Sequence, residues 1–582
     1  MFERISRFIH HIVRFFAALL SWTSPVRITS AYLSLSARER AMLIGTLCVG
    51  IVGTGIGAVH FYLAHTTTVP SLGGTFTEGV VDQPHHINPV LPDSNETDQI
   101  LEQLIFSGLT KPNGQGGYDM DLAQSIEKQH DGVTYLVTLK NNLVWQDNEP
   151  LTTQDILFTL DLLKNNDLQN PQAYFWNTVQ AQAVSGTIMK FTLQNPNAYF
   201  PVYLSFKILP YHLWKSVPVN QITISDLNLK PIGSGPYQFK KLTLAKDQSI
   251  SQYTLTRFSR YGGGGPYFDT VALRFYPSID DAMVALKKKD VQSIAHVPVS
   301  AFEAQTARQS FAALAPSQAA MTLLALNTNA DPLKDKAMRE AIASSIDART
   351  IAQELYGGYA QWSLFPANAS SSTSVDREKA RQLLAGLGWQ DSDKNGIVDK
   401  KLTARAKTPT DISIDLLTLD TPDMRRIAEA IQAQLKQSGI GATIQALDVN
   451  EYTNQLHNRS FQMALIAFAP VGGPVPDWYP LLDSTQKQYP GLNVSGYANP
   501  AADKLMEQLR STDDQTITKT LYAQLAAQIE SDNPVIFIAQ PALLWFVSNG
   551  IHIPSITFLP AAGDRFAIIN EWYWFTKRVW TR

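Results

Sequence analysis

Cysteine is almost absent from this chain: Cys48 is the only one in 582 residues. No intrachain disulfide can form, and no cysteine-based zinc centre can be assembled. Strong charge of either sign is also missing. The formal net charge is −3 and charged residues make up 17% of the chain, so no electrostatic footprint for nucleic acid exists. The Gly-x-Ser-x-Gly elbow of serine hydrolases and the His-Glu-x-x-His helix of zinc proteases do not occur. His85 and His86 are adjacent, which is a poor arrangement for joint chelation, and they are expected as an exposed loop pair. No catalytic constellation emerges, and no cofactor is expected. The length exceeds what one core supports, so two or three domains are expected.

Long apolar runs are scarce too, with one exception. Ala41 to Ala64 reads AMLIGTLCVGIVGTGIGAVHFYLA, long enough to cross a bilayer core. Its glycines at 45, 50, 53, 55 and 57 suit a membrane helix. Gly53 and Gly57 have small-xxx-small spacing, which reads either as a dimerisation face or as lipid-facing surface. Cys48 reads as a small apolar residue in the span. Arg4, Arg7, Arg14, Arg27, Arg38 and Arg40 precede the run, and the first Lys or Arg after it is Lys111. The positive-inside rule puts the N-terminus in the cytoplasm and everything after residue 65 outside. The run's length and its late start argue against a cleaved secretory signal. Phe2 to Trp22 mixes apolar residues with arginines and histidines; it reads as an amphipathic helix on the inner leaflet, with a second span as the alternative that its polar groups make costly.

The densest local signals lie in Asp121 to Leu163. Asp131-Gly132 is a turn dipeptide, and Thr134 to Lys140 alternates with Tyr135, Val137 and Leu139 on one face. Asn141-Asn142 turns the chain, so Leu143 to Trp145 is expected as a short apolar return completing a hairpin. Thr152 with Asp155 three residues on predicts a capped helix, and Ile156, Leu160 and Leu163 give it a buried face.

Further along, Thr66 to Gly74 reads as a tether and Thr75 to Val81 as a strand. Pro231-Ile232-Gly233-Ser234-Gly235-Pro236-Tyr237 is a tight turn feeding a strand, unlike a phosphate-binding loop. Ile412 to Thr418, a helix opened by Thr421-Pro422 and closed by Gly439, and Thr443 to Val449 form a βαβ unit, so part of a sheet is parallel. Leu505 to Ile529 is expected as a helix. Asp391, Asp393, Asn395, Gly396, Ile397 and Asp399 fill successive positions of a calcium loop, but its twelfth position is Leu402 and not a bidentate Glu. The loop reads as a calcium candidate without its strongest ligand, or as an Asx-rich turn that needs no ion. The tail from Glu571 to Arg582 is rich in Trp and basic residues. It packs on the body or touches the membrane surface.

These stretches together resemble a known family. The residues that carry the resemblance are Asp82-Gln83-Pro84 with Ile87-Asn88-Pro89, Leu122-Ala123-Gln124-Ser125, Asp131-Gly132, and the run from Trp145 to Thr159, WQDNEPLTTQDILFT. Gly233-Ser234-Gly235-Pro236-Tyr237 and the helix Arg339 to Asp347 add to them. The chain resembles the family 5 extracellular solute-binding proteins, the peptide, nickel and oligosaccharide receptors of ABC importers. Gln146 and Asn148 stand where the family has His and Gly. The resemblance implies an α/β, two-lobed, periplasmic-binding-protein-like fold of type II with an extra domain, here preceded by a transmembrane helix. It implies ligand contacts from both lobes and permease partners.

The expected layout is a cytoplasmic arm (1–40), a transmembrane helix (41–64), a tether (65–74), lobe I with the inserted extra domain (75–320), lobe II (321–540), and a return to lobe I with the aromatic tail (541–582). The expected function is a membrane-tethered receptor for a peptide or similar small solute. An exported sensor or scaffold of the same fold that feeds no transporter is the alternative. Peptide-binding relatives carry an acidic residue that pairs with the peptide's ammonium in the loop equivalent to Pro470 to Pro480. Its upstream acid is absent here, leaving Asp477 as the charge anchor. With it, Trp478, Trp362, Tyr174, Trp176 and Asn88 are the candidate ligand contacts; each aromatic has core packing as its alternative.

Overall fold

The computed structural model describes residues 33–581 apart from 93–94, 309–310, 363–374, 404–407, 474 and 490. The expected amphipathic helix at Phe2 to Trp22 lies outside the described residues. The chain divides into two compact units, one formed by the segment ending at Ser71 together with Phe575–Arg582, the other by Leu72–Trp574.

In the smaller unit the apolar run forms one helix, Ala37–Ala64. Ser36 caps it: its hydroxyl accepts from the Glu39 N–H, while the Glu39 carboxylate takes the Ser36 N–H at 2.9 Å. The helix is long and apolar enough to cross a membrane, and its large apolar side chains other than Leu43 are mostly exposed. The expected tether is ordered instead. Thr66–Ser71 is a strand that pairs antiparallel with Phe575–Trp580, from Thr66 opposite Trp580 to Ser71 opposite Phe575. The threonines in TTTVPS favour extended backbone, and the partner strand comes from the opposite end of the chain.

The larger unit contains three principal sheets. A seven-stranded sheet runs in the order Ala312–Leu314, Trp545–Val547, Ser293–Ile294, Thr75–Val81, Thr270–Tyr276, Ile250–Arg257, Tyr237–Leu244. A four-stranded antiparallel sheet, ordered Ala123–Lys128, Thr134–Leu139, Ile188–Leu193, Val179–Ala183, shares one hydrophobic core with it. A six-stranded sheet runs Ala360–Gln361, Val535–Pro541, Met321–Leu326, Met463–Phe468, Ser413–Leu419, Gly441–Leu447. It carries a separate core on each face. Between the seven- and six-stranded sheets the chain passes at Leu314 to Met321 and returns at Pro541 to Trp545.

Local chemistry explains most elements. Ser413–Leu419 and Gly441–Leu447 are parallel neighbours, joined by helix Pro422–Gln437. Proline at the helix start costs no hydrogen bond, and Gly439 ends the connection at φ +86°, a conformation glycine adopts without strain. Helix Thr153–Leu163 has the expected capping box. Two readings are corrected. Leu143 to Trp145 does not return along Thr134–Leu139. That strand pairs with Ala123–Lys128 across the Asp131-Gly132 turn and with Ile188–Leu193, so both its edges are taken. Val144 instead forms an isolated bridge to Pro150. Leu505 to Ile529 is not one helix but two, Pro500–Ser511 and Gln515–Asp532. Asp514 caps the second by accepting from the Thr516 and Ile517 N–H groups at 2.7 and 3.1 Å.

Candidate functional site

A cavity of about 620 Å³ lies where the four-stranded sheet and its flanking helices meet the segment 479–511 of the six-stranded part. Tyr174, Tyr203 and Tyr479 supply aromatic surface, Asn195 and Gln486 amide groups, and Arg510 a cation. Among the described residues several contacts join the two sides, a side-chain hydrogen bond between Tyr203 and Arg510 included. Tyr174 donates its hydroxyl to Gln486 Oε1. The Ala198 N–H donates to the Arg510 carbonyl at 2.6 Å. Lys128 pairs with Asp513 at 2.7 Å. Nearby, Gly473 lies so close to the Gly116 carbonyl that a Cβ would sit 2.1 Å from it, at φ +63°. Only glycine allows this approach.

Behind the cavity wall is an ion pair. Arg510 donates Nε and Nη2 to Asp477 Oδ2 at 3.0 and 2.7 Å, and the guanidinium stacks 4.0 Å over the Tyr479 ring. Asp477 is 3% exposed. Burial alone would lower the Arg510 pKa, but the Asp477 charge reverses the sign and raises it. Burial, then the Asp477 charge, pushes the Tyr199 and Tyr203 hydroxyls well above their ordinary range. All three groups keep their neutral-pH charge state.

The expected ligand contacts separate into different environments. Tyr174 lines the cavity. The Asp477 carboxylate, expected as the charge anchor, accepts from Arg510 and from the Tyr479 N–H at 3.2 Å. Trp478 is 1% exposed and donates Nε1 to the Tyr522 hydroxyl at 3.1 Å, within a core of the six-stranded part. Trp176 is fully buried among Phe175, Phe191, Phe200 and Phe206. Asn88 is fully buried, donating to Asn228 at 2.9 Å and accepting from the Val90 N–H at 3.2 Å. These three side chains are buried and do not line the cavity. Trp362 is exposed beneath the Arg349 guanidinium, 5.3 Å away, and does not line the cavity. Arg510, Tyr203, Tyr479, Gln486 and Asn195 were not picked out from the sequence. Tyr479 follows the two candidates Asp477 and Trp478, whereas Arg510 sits at the end of a helix with no local signal.

In the calcium candidate, carboxylate oxygens of Asp391, Asp393 and Asp399 lie within 4.8 Å of one another. Each is already engaged. The Gly396 N–H donates to Asp391, the Asn395 N–H to Asp393, and Ser392 donates N–H and hydroxyl to Asp399. Leu402 at the twelfth position is exposed. These bonds give the loop the geometry of an Asx-rich turn. The His85 and His86 N–H groups donate to Asp98, at 2.9 and 3.1 Å.

Residues 118–490 match the model of the bacterial extracellular solute-binding proteins, family 5 Middle. The chain belongs to this family. Members of family 5 are solute-binding proteins and not enzymes. The oligopeptide-binding protein AppA of Bacillus subtilis is 26% identical over 489 residues, covering 81% of this chain and 87% of that protein. The nickel-binding protein NikA of Staphylococcus aureus is 24% identical over 429 residues, covering 72% and 79%. The structure of the Bacillus AppA, in complex with a nonapeptide, superposes with a TM-score of 0.68 at 24% identity, covering 87% of this chain and all of that one. The family 5 fold is thus the fold of Leu72–Trp574, and this chain is a solute-binding protein of the ABC-transporter type.

Proposed function

We propose that this chain is a membrane-tethered, extracytoplasmic receptor that delivers a peptide or similar small solute to the permease of an ABC importer. In this reading residues 75–320 with 541–582 and residues 321–540 are two lobes that close on the solute. Helix Ala37–Ala64 is the tether, with its N-terminal side in the cytoplasm. The observation that carries the reading is the cavity bounded by Tyr174, Tyr203, Tyr479 and Arg510. It lies between parts of the fold joined by just two chain passages, which is the arrangement hinge closure needs. Amides and tyrosine hydroxyls offer donors and acceptors to a peptide-like backbone, and the rings offer apolar surface. Neither histidine nor cysteine is among the described lining residues, a set that favours an organic solute over a bare soft metal ion.

Mass spectrometry of solute released from the purified full-length chain tests this. An unaltered peptide or similar small molecule is expected, and Tyr479→Ala and Tyr174→Ala are expected to reduce the thermal shift it produces. A solute chemically changed by the protein would sink the receptor reading. An empty protein with no thermal shift across peptide libraries would sink the peptide part.

A further inference from the structure

The smaller unit joins the two ends of the described chain at one end of the apolar helix. From Ala41, the first residue after the basic cluster, the helix rises about 30 Å by His60, the thickness of a hydrocarbon core. The last helical turn, Phe61 to Ala64, therefore falls at headgroup depth. The strand Phe575–Trp580 is fastened there. Arg578 donates Nη2 to the carbonyls of Leu63 and Thr66 at 2.9 and 2.8 Å, and Nε to the Thr66 hydroxyl at 2.8 Å. Its guanidinium thus satisfies a carbonyl that the helix end leaves without a partner, and its charge complements the negative end of the helix. The Trp580 ring meets Tyr62 edge-on at 5.7 Å and Phe61 at 6.3 Å. Thr581 donates its N–H and hydroxyl to the His65 carbonyl at 2.9 and 2.7 Å.

What this assembly leaves outward is as telling. Trp580 is 60% exposed, and Phe575 and Lys577 are exposed as well. Neither strand of the ribbon contains an Asp or Glu. Exposed Trp and Tyr with basic side chains, contiguous with an apolar span, are the composition of a membrane–water interface.

We propose that the C-terminal strand is an interfacial clasp: it locks onto the exit turn of the membrane helix and seats Trp580 and Lys577 among phospholipid headgroups, with the phosphates as partner of the basic groups. The clasp rests on the membrane-tether reading of the helix. It gives the outer end of that helix an anchor that the positive-inside pattern does not provide, since no Lys or Arg follows Ala64 before Lys111.

The test uses the full-length chain in vesicles of phosphatidylcholine and phosphatidylglycerol whose acyl chains carry bromine either near the headgroup or near the bilayer centre. Subtracting the spectrum of Trp580→Phe isolates the Trp580 emission. A blue-shifted component quenched by the shallow bromine and spared by the deep one is expected. A component at the water-exposed wavelength, quenched by neither, overturns the proposal. In a second variant, Arg578→Ala, the last residues are expected to become open to carboxypeptidase while the melting temperature of the body stays unchanged. Equal protection in parent and variant overturns the fastening role of Arg578. Flotation with the vesicles separates the two levels: a chain that fails to float loses the tether reading itself, whereas a floating chain with unquenched Trp580 loses only the clasp.

Discussion

At the scale of single residues, two titratable groups of the larger unit illustrate what burial does to charge. Asp477 is held by Arg510, and removing one partner of such a pair strands the other in a low-dielectric wall. Arg510→Met is expected to destabilise the fold by about 3–5 kcal/mol, and the added change Asp477→Asn to recover most of that; urea denaturation of the single and double variants checks both. Glu102 is the second group. Burial, then the Asp98 charge, raises its pKa from an ordinary 4.5 to about 8. The folded state therefore binds more protons than the unfolded state between those values, and the group lowers stability progressively as pH rises from about 4.5 to about 8. Glu102→Gln, which carries no charge, is expected to melt higher than the parent above about pH 5, with the gap widening to about pH 8 and then constant. A melting-temperature series against pH reads this directly. Neither group was legible in the sequence. A pair 33 positions apart, or a carboxylate made expensive by burial, is created by tertiary packing and leaves no local pattern.

At the scale of elements the sequence was more informative, because caps, turns and apolar periodicity are local. The capping box at Thr152, the βαβ unit after Ser413 and the long apolar helix were all readable from spacing. The two misreadings have different causes. Leu143 to Trp145 has strand-like composition, but the neighbouring strand has no free edge for it. The continuous helix assumed from Leu505 onward ignored that Asp514 ends one register and caps the next. Asp514→Ala is accordingly expected to cost about 1 kcal/mol by loss of the cap, measured as a shift in the urea midpoint at unchanged slope. The strand Thr66–Ser71 was hidden for a different reason, since its partner is at the far end of the chain.

At the scale of the whole molecule, the arrangement of sheets connected by two passages makes the cavity sensitive to relative movement of its walls. Small-angle scattering of the full-length chain in detergent is expected to show a smaller radius of gyration when solute is bound than when it is removed. The rim pair Lys128–Asp513 is 26% exposed at the lysine and 64% exposed at the aspartate, so Lys128→Ala is expected to change solute affinity by less than about 1 kcal/mol, measured by calorimetry. The fold class was legible from the run Trp145 to Thr159 and its companions, because that scaffold keeps its turn and cap chemistry. The lining of the cavity was not, because Trp478, Trp176 and Asn88 are buried away from it and Asp477 is paired with Arg510 behind its wall.

The ladder between Thr66–Ser71 and Phe575–Trp580 also sets an order of assembly. Arg578 and Thr66 are 512 positions apart, so the strand Thr66–Ser71 leaves the ribosome long before its partner. Everything between must be synthesised, and most of it folded, while an unpaired edge persists beside the apolar helix. A chain truncated before Phe575 never closes that edge. That ladder is thereby a contact formed late in assembly, after the body between its two strands.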